Sequence, residues 1–456
     1  MRRLLLASAA ALAALASSIA SAQTTLKVVM HSDVKVLDPI WSGAYITRNH
    51  GYMLYDTLFA MDEKFAIKPQ MVESWTTSPD GLTWTFKLRE GLEWHDGQPV
   101  TAEDCIASLK RWSARDSMGQ KLAQALQEYK AVDASTFQIV LKEKFGQLIE
   151  SIGKVVSVDR VEWVWIADAE TQVNALTNGE IDMIESVSYD HLPILEKNKA
   201  VKVIPNAVSN QYVFRMNWLQ PPFNNAKIRH AAAMTMNQED FLQANIGDKR
   251  FYRTCKAMFT CETPLATTAG MDGLVEGNSA KAKQMLAEAG YDGTPVTLLY
   301  PTDLGVIKQL GPVAKAALEK AGFKVDLVPM DWQSLVTRLS TKKGPPSEGG
   351  WNAFSTSWSQ VDILDPLMTP YLASNCEKAR PGWPCDEAME KLRDKFVKAE
   401  TPAEKKAVAE EVQRHAMQIV THVPLGEWFG ASVVRANIGT MAVPPPVTVF
   451  WGMTKK

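Results

Sequence analysis

Segments with the two-residue period of a β-strand alternate along this chain with segments of helical period, and no other feature constrains the fold as strongly. Trp84 and Phe86 alternate with polar residues, which is typical of a half-buried strand. Residues 296–300, 311–321 and 323–328 predict a strand, a helix and a second strand, a unit that favours a right-handed parallel crossover. No internal repeat or extended low-complexity tract interrupts the pattern. The alternation predicts an α/β or α+β protein.

Length and composition narrow the class of protein. The chain has 456 residues, enough for two or three domains at roughly 150 residues each. Hydrophobic residues make up 46% and charged residues 22%, which excludes collagen-like and disordered chains. The 49 basic and 51 acidic residues nearly balance, and no long Lys/Arg block occurs. Because phosphate binding needs a concentrated basic face, this balance argues against a nucleic acid partner.

The first 22 residues have the organisation of a secretory signal peptide. Two arginines supply a positive start, residues 4–19 are apolar or small, and residues 20–22 form an A-x-A cleavage site before Gln23. A membrane anchor or a buried helix is the alternative, but the run is short for a bilayer and ends in a processing site. No later stretch approaches the roughly 18 apolar residues that a membrane span requires. The sequence therefore predicts export followed by cleavage.

Cysteine usage agrees with an oxidising destination. Cys255 and Cys261 lie close together in one segment, and Cys376 and Cys385 flank a Pro-Gly turn. Export makes two short-loop disulfides the favoured interpretation of these pairs. A zinc site of four thiolates is the alternative, although the spacing lacks the paired C-x₂₋₄-C form of such sites. Cys105, on the apolar side of a predicted helix, is expected to be a buried free thiol.

Sequence motifs for catalysis are absent. The chain contains no G-x-x-x-x-G-K-[ST], G-x-G-x-x-G, G-x-S-x-G or H-E-x-x-H. Its seven histidines are dispersed, and His415 and His422 are more typical of a helix end than of a metal site. We therefore expect no metal, no cofactor and no enzymatic activity, although an Asp/Glu acid–base pair formed in space stays open.

The chain contains 14 tryptophans, most of which are expected in the core. Two aromatic clusters lie instead on loops interrupted by Gly or Pro. Trp41, Ser42 and Tyr45 form the first cluster, and Trp358 and Asp362 form the second. Aromatic faces beside a carboxylate suit an extended organic ligand with a cationic end. These five residues are the candidate ligand contacts.

Six stretches resemble one family, the extracytoplasmic solute-binding proteins of ABC transporters, family 5, which includes dipeptide, oligopeptide and nickel binders. The stretches are 68–75 (KPQMVESW), 80–89 (DGLTWTFKLR), 94–104 (WHDGQPVTAED), 178–182 (NGEID), 222–229 (PFNNAKIR) and 280–290 (AKAKQMLAEAG). Their order matches that of the family, and they span nearly the whole chain. On this resemblance the chain is identified as a member of the family.

The resemblance implies an α/β fold of the periplasmic-binding-protein type II kind, in which two lobes are joined by a hinge and accompanied by an extra domain. The implied domains are the signal peptide at 1–22, the first lobe at 23–54, 155–226 and 426–456, the extra domain at 55–154, and the second lobe at 227–425. Such lobes close around a ligand that contacts both of them.

The resemblance also implies the function: capture of a peptide or similar small polar solute in the periplasm, and delivery to an ABC transporter permease in the membrane. The implied protein is a monomer without a cofactor or a nucleic acid partner. Two other functions stay open, a degenerate homologue that binds nothing and a secreted hydrolase.

Asp362 has a role by the same resemblance. In peptide-binding relatives, an Asp three residues before an acidic-Pro pair receives the ligand's α-amino group, and Asp362 stands in that position before Asp365. A buried ammonium needs such a charge partner to offset its loss of hydration. The alternative is an Asp that caps its own loop. No residue in the sequence presents itself as the partner of a ligand carboxylate.

The chain departs from the family between residues 149–154 and 158–163. Relatives carry several dozen more residues there, including a G-[ST]-G-P-F motif, and this chain has none of them. By resemblance, the missing segment re-enters the first lobe and supplies strands to its sheet. We therefore expect a first lobe with missing strands, whose exposed edges and apolar faces could impair closure.

Overall fold

The computed structural model describes residues 25–62, 66–152, 161–439 and 455. The predicted signal peptide at 1–22 and the predicted junction at 154–158 lie outside these ranges. Among the described residues, no helix combines the length and the apolar character that a membrane crossing requires.

Strands and helices alternate through the described ranges. The strands are β1 (Leu26–Val29), β2 (Phe59–Met61), β3 (Ile67–Pro69), β4 (Val72–Thr77), β5 (Thr83–Leu88), β6 (Leu126–Ala131), β7 (Thr136–Leu141), β8 (Val161–Val164), β9 (Met183–Ile184), β10 (Val201–Pro205), β11 (Asn210–Met216), β12 (Tyr252–Arg253), β13 (Val296–Pro301), β14 (Val325–Met330), β15 (Ala353–Ser359), β16 (Val423–Trp428) and β17 (Ala431–Arg435). The α-helices are α1 (Tyr45–Leu54), α2 (Ala102–Ser113), α3 (Ser117–Ala125), α4 (Leu148–Ile152), α5 (Ala169–Asn178), α6 (Leu192–Leu195), α7 (Ala226–Thr235), α8 (Gln238–Asn245), α9 (Ser279–Glu288), α10 (Leu310–Lys320), α11 (Trp332–Thr341), α12 (Glu387–Lys398) and α13 (Pro402–Ile419).

A five-stranded sheet joins the early and late parts of the chain, and we call it the first lobe. Its order is β10-β17-β9-β1-β8, with β1 parallel to β8 and β9, and β17 antiparallel to β9 and β10. Val28, Met183 and Val434, from three neighbouring strands, are buried in one apolar cluster. Burial of this apolar surface stabilises the pairing of segments that are far apart in sequence. Among the described residues, the sheet ends at β8, directly after the predicted missing segment.

A six-stranded sheet forms the second lobe. Its order is β12-β16-β11-β15-β13-β14. The predicted strand–helix–strand unit is present, because β13 and β14 pair in parallel and α10 lies between them in the chain. Gly311 of α10 packs against Tyr300 of β13 so closely that a Cβ would collide with the ring. Only a glycine lets the helix cover this strand at such short range.

Two short segments carry the chain between the lobes. The first, 206–209, connects β10 to β11 and lies upstream of the predicted bound at 226. The second, 429–430, connects β16 to β17. They lie side by side, because the Asn206 amide donates a hydrogen bond to the Gly430 carbonyl at 2.8 Å. Adjacent short crossings are suited to hinge motion. The domain bounds as a whole stay a prediction.

A separate four-stranded antiparallel sheet, β4-β5-β7-β6, lies within residues 55–154 together with α2 and α3. Helix α2 begins with a capping box: the Asp104 amide donates to Thr101 Oγ1 at 3.3 Å, and the Thr101 amide donates to Asp104 Oδ2 at 2.9 Å. Lys121 of α3 pairs with Glu390 and Asp394 of α12 at 2.8 and 2.6 Å. These ion pairs connect this sheet and its helices, hereafter the third unit, to the second lobe.

The cysteines pair as the sequence predicts. Cys255 forms a disulfide with Cys261, and Cys376 forms one with Cys385. Cys105 is a buried free thiol, and burial raises its pKa to about 12. At neutral pH this thiol is therefore protonated and unreactive.

Candidate ligand-binding cleft

A cavity of about 290 Å³ lies between the two lobes and is lined by both. On the first lobe, His31 and Glu185 follow the carboxyl ends of the parallel strands β1 and β9, and Ser432 belongs to β17. On the second lobe, Ser357 of β15 and Trp428 of β16 contribute. The carboxyl ends of strands are where open α/β sheets bind their ligands. The cavity therefore has the position of a ligand site.

Four of the five predicted ligand contacts line this cavity. Trp41, Ser42 and Tyr45 line it from the first lobe, and Trp358 lines it from the second. The predicted loop placement is wrong for two of them, because Tyr45 is the first residue of helix α1 and Trp358 belongs to strand β15. The rings of Tyr45 and Trp358 meet edge to face, with centroids 6.2 Å apart, so they close one side of the cavity across the lobes. Trp41 is 59% exposed and therefore lies at the mouth. Asp362 does not line the cavity.

The third unit holds the loop that carries Trp41. The Arg115 guanidinium lies 4.0 Å from the centroid of the Trp41 ring, a cation–π contact. Arg111 of α2 forms an ion pair with Asp38, at the start of the same loop. The Trp41 amide also donates to the Asp38 carbonyl at 3.1 Å. The third unit thus positions an aromatic side chain at the mouth of the cavity.

Asp362 lies behind the cavity wall in a buried ion pair. Its Oδ1 and Oδ2 accept hydrogen bonds from Nη1 and Nη2 of Arg48 at 2.8 and 2.6 Å. Its Oδ2 also accepts from the Tyr45 hydroxyl at 2.7 Å, and that hydroxyl accepts from the Ser359 amide at 2.6 Å. Burial by itself lowers the pKa of Arg48, but the charge and hydrogen bonds of Asp362 outweigh this effect and raise the pKa above its ordinary value. The ammonium-binding role of Asp362 stays a prediction, and it requires Arg48 to release a carboxylate oxygen.

Sequence reasoning missed a polar cluster on the first lobe. Glu185 Oε2 accepts from the His31 amide at 2.9 Å and lies 2.7 Å from His31 Nδ1. Glu185 Oε1 accepts from Asn49 Nδ2 at 2.7 Å. His31 and Glu185 are 154 residues apart in the chain, so no local pattern connects them. The available signal was the place of Glu185 directly after the apolar pair Met183 and Ile184, which forms strand β9.

Sequence reasoning also missed Arg380, which lines the cavity from the loop between Cys376 and Cys385. Its side chain reaches the opposite lobe, because a Cβ on Gly43 would lie 2.9 Å from Arg380 Nη1. The available signal was a cation inside a short disulfide loop. Apolar side chains form much of the remaining wall: Leu304, Val306, Ile307, Trp332, Leu339 and Phe354.

Comparisons with known proteins place the chain among solute-binding proteins. The sequence model described as bacterial extracellular solute-binding proteins, family 5 middle, matches residues 66–156 and 151–380. A probable peptide ABC transporter periplasmic-binding protein of Sinorhizobium fredii is 33% identical over 508 residues, covering 96% of this chain and 95% of the relative. The glutathione-binding protein of Escherichia coli is 24% identical over 484 residues, covering 90% of each chain.

A solved structure has the same fold. The ABC transporter-associated periplasmic binding protein of Helicobacter pylori, in complex with a peptide, superposes with a TM-score of 0.79 at 18% identity, covering 95% of this chain and 98% of that one. This likeness confirms the predicted α/β fold of the periplasmic-binding-protein type II kind.

The matches also bear on the predicted missing segment. The two matches of the family model meet at 151–156, beside the predicted junction at 154–158. The alignment with the Sinorhizobium relative spans 508 residues, more than the 456 of this chain, so it includes positions at which this chain has no residue. Both findings agree with the predicted loss of a segment.

Proposed function

The chain belongs to the bacterial extracellular solute-binding proteins of family 5, and on this premise we propose that it is the periplasmic binding component of an ABC import system. It captures a peptide or similar small polar solute between its lobes and delivers it to a membrane permease. Its family consists of solute-binding proteins, not enzymes. The observation that carries the proposal is the cavity, which is lined by two lobes connected through adjacent crossings.

Four side chains are proposed as solute contacts: Trp41, Ser42, Tyr45 and Trp358. The aromatic rings offer apolar faces to the body of a solute, and the Ser42 hydroxyl offers a polar anchor. Their position on the wall of the cavity supports this assignment. Export through a cleaved signal peptide at 1–22, a monomeric state and the absence of a nucleic acid partner belong to the same proposal. The nearly balanced charge supports the last of these.

Contacts between the lobes define the closed state in this proposal. Lys35 pairs with Asp331 of α11 at 3.1 Å, and Gln333 Nε2 donates to the Asp33 carbonyl at 3.4 Å. The buried pair of Asp362 joins α1 to the segment after β15 at another point. A solute shifts the population toward closure only by binding the closed state more tightly than the open one. A site lined by both lobes meets that condition.

Thermal unfolding across a solute library tests the proposal, with hits confirmed by calorimetry. The library contains peptides, opines, sugars and metal ions. A solute at 100 times its Kd should stabilise the protein by about 2.7 kcal/mol and raise the unfolding temperature measurably. Small-angle scattering should show a more compact particle with that solute. A flat response across the library would refute the proposal in favour of a homologue that binds nothing, and turnover of peptides or esters would favour a hydrolase.

A further inference from the structure

Two guanidinium groups at one end of the cavity, Arg380 in the wall and Arg215 buried behind it, form no ion pair with any described carboxylate. Arg380 lines the cavity, and its side chain donates no hydrogen bond to a residue within the described ranges. Arg215, beneath it, is fully buried and donates to the carbonyls of Tyr371, Pro381 and Thr421 at 3.0, 3.0 and 2.6 Å. Burial lowers the pKa of Arg215 to about 10, so this group stays charged at neutral pH. Two cations without a carboxylate make this end of the cavity electropositive.

The loop that presents Arg380 is held in one position. The disulfide between Cys376 and Cys385 closes it. The Trp218 amide donates to the Gly382 carbonyl at 2.9 Å, on the loop itself. A Cβ on Gly382 would lie 2.5 Å from Nε of the buried arginine beneath, so the loop backbone packs directly on that guanidinium. Because the backbone that presents Arg380 is fixed, less freedom is lost when its side chain binds a ligand than if the loop were mobile.

The wall opposite Arg380 leaves room for its side chain. Gly43 faces it, and a Cβ there would lie 2.9 Å from Nη1. Within the described part of the wall, Arg380 is the sole Lys or Arg. Glu185, the acidic residue of the wall, already accepts hydrogen bonds from His31 and Asn49. The wall therefore offers a cation to the solute more readily than an anion.

We propose that Arg380 is an anion subsite, and that this protein selects small solutes bearing a carboxylate, which Arg380 binds between the lobes. A guanidinium donates two parallel hydrogen bonds to a carboxylate, which fixes its orientation as well as its charge. Both oxygens of Asp362 already accept hydrogen bonds from Arg48, so the solute does not need a free amino group to pair with this carboxylate. Solutes with a blocked amine belong to the same class. This inference rests on the proposed function.

Matched solute pairs test the subsite by calorimetry. Ala-Leu and N-acetyl-Ala-Leu are each compared as the free acid and the C-terminal amide, together with every library hit and its neutral amide. In the wild type, the carboxylate form should bind at least about tenfold more tightly than the amide, as a charge-assisted hydrogen bond predicts. Arg380→Gln should abolish this preference. Lys378→Gln removes an exposed cation from the same loop, outside the cavity wall, and should keep it.

The outcomes separate this inference from the proposed function. If amides bind as tightly as acids, or if Arg380→Gln keeps the preference, the anion subsite is refuted while solute binding stands. If no solute binds to the wild type, the inference and the proposed function fall together. Arg380→Lys, which keeps the charge without the planar fork, should recover part of the preference. Should the glutamine variant fail to fold, Gly43→Ala, whose Cβ displaces the guanidinium, should weaken the acids selectively, and an unchanged preference there would overturn the subsite.

Discussion

The variant Asp362→Ala tests whether the Asp362 carboxylate stabilises the folded protein through its ion pair with Arg48 or is kept for the amine of a solute. The substitution removes a carboxylate that accepts three hydrogen bonds of 2.6 to 2.8 Å from Arg48 and Tyr45. The Arg48 side chain, 17% exposed, would remain as a largely buried cation without this partner. Breaking a buried pair by removing one member costs about 3–5 kcal/mol, because the other charge stays unpaired. We expect a loss of about 3 kcal/mol in the free energy of unfolding, toward the lower end because water reaches part of the guanidinium.

Urea unfolding at pH 7 of the wild type, Asp362→Ala, Arg48→Met and the double variant measures this effect as a double-mutant cycle. The double variant should recover much of the lost stability, since methionine fills the space without a charge. The coupling free energy should be about 1–3 kcal/mol. Glu411→Ala is the matched control, because its ion pair with Lys395 is exposed and should contribute less than about 1 kcal/mol.

The ammonium-binding role of Asp362 predicts a different result. A carboxylate kept for the solute would leave the stability of the solute-free protein nearly unchanged when it is removed. The same change would weaken amine-bearing solutes by more than about tenfold. A stability change within about 0.5 kcal/mol, with no coupling to Arg48, would refute the ion-pair reasoning.

Other positions give predictions of different kinds. Burial lowers the pKa of His422 to about 3, below its unfolded value of about 6.5, so the stability it contributes is complete above pH 6.5 and is lost as the pH falls toward 3. Urea unfolding between pH 6.5 and 4.5 should show a slope smaller by about 1.4 kcal/mol per pH unit in His422→Asn, and an unchanged slope would contradict this. Gly430→Ala places a Cβ 2.6 Å from Asn206 Nδ2 and should lower the unfolding temperature by several degrees. Asn206→Ala in the same chain should restore it, and failure to do so would exclude this clash as the cause. Trp41→Ala should weaken the binding of library hits and, by removing one exposed cation–π contact, should lower the unfolding temperature by no more than a few degrees, whereas Trp94→Ala, at an exposed tryptophan outside the cavity wall, should leave the affinity unchanged. Equal effects of the two tryptophan variants on affinity would remove Trp41 from the site.

Elements that depend on near neighbours were predictable from sequence. The capping box of Thr101 and Asp104 joins residues three apart in the chain. The disulfide between Cys255 and Cys261 joins residues six apart. The unit formed by β13, α10 and β14 follows from hydrophobic period and glycine placement. In each case the interacting groups meet wherever the local backbone has its preferred conformation, so one sequence window contains the whole cause.

The residues of the cavity and its surroundings also fall into two groups, those that the sequence could select and those that depend on contacts between distant parts of the chain. Aromatic clusters beside Gly and Pro were enough to select Trp41 and Trp358 for the cavity wall, although Trp358 belongs to strand β15 and not to a loop. The partner of Asp362 could not be selected, because Arg48 is 314 residues away in the chain. The same holds for the approach of Arg380 to Gly43 across the cavity.

The amino-acid sequence alone thus determined the elements, the cysteine pairs, the family and four of the residues that line the cavity. Only the tertiary structure decided which charged side chains meet and which ones line the cavity. Hydrogen bonds of less than 3 Å between distant residues depend on how the two sheets are placed relative to each other. That placement results from the burial of apolar side chains over both lobes, to which charged residues contribute little.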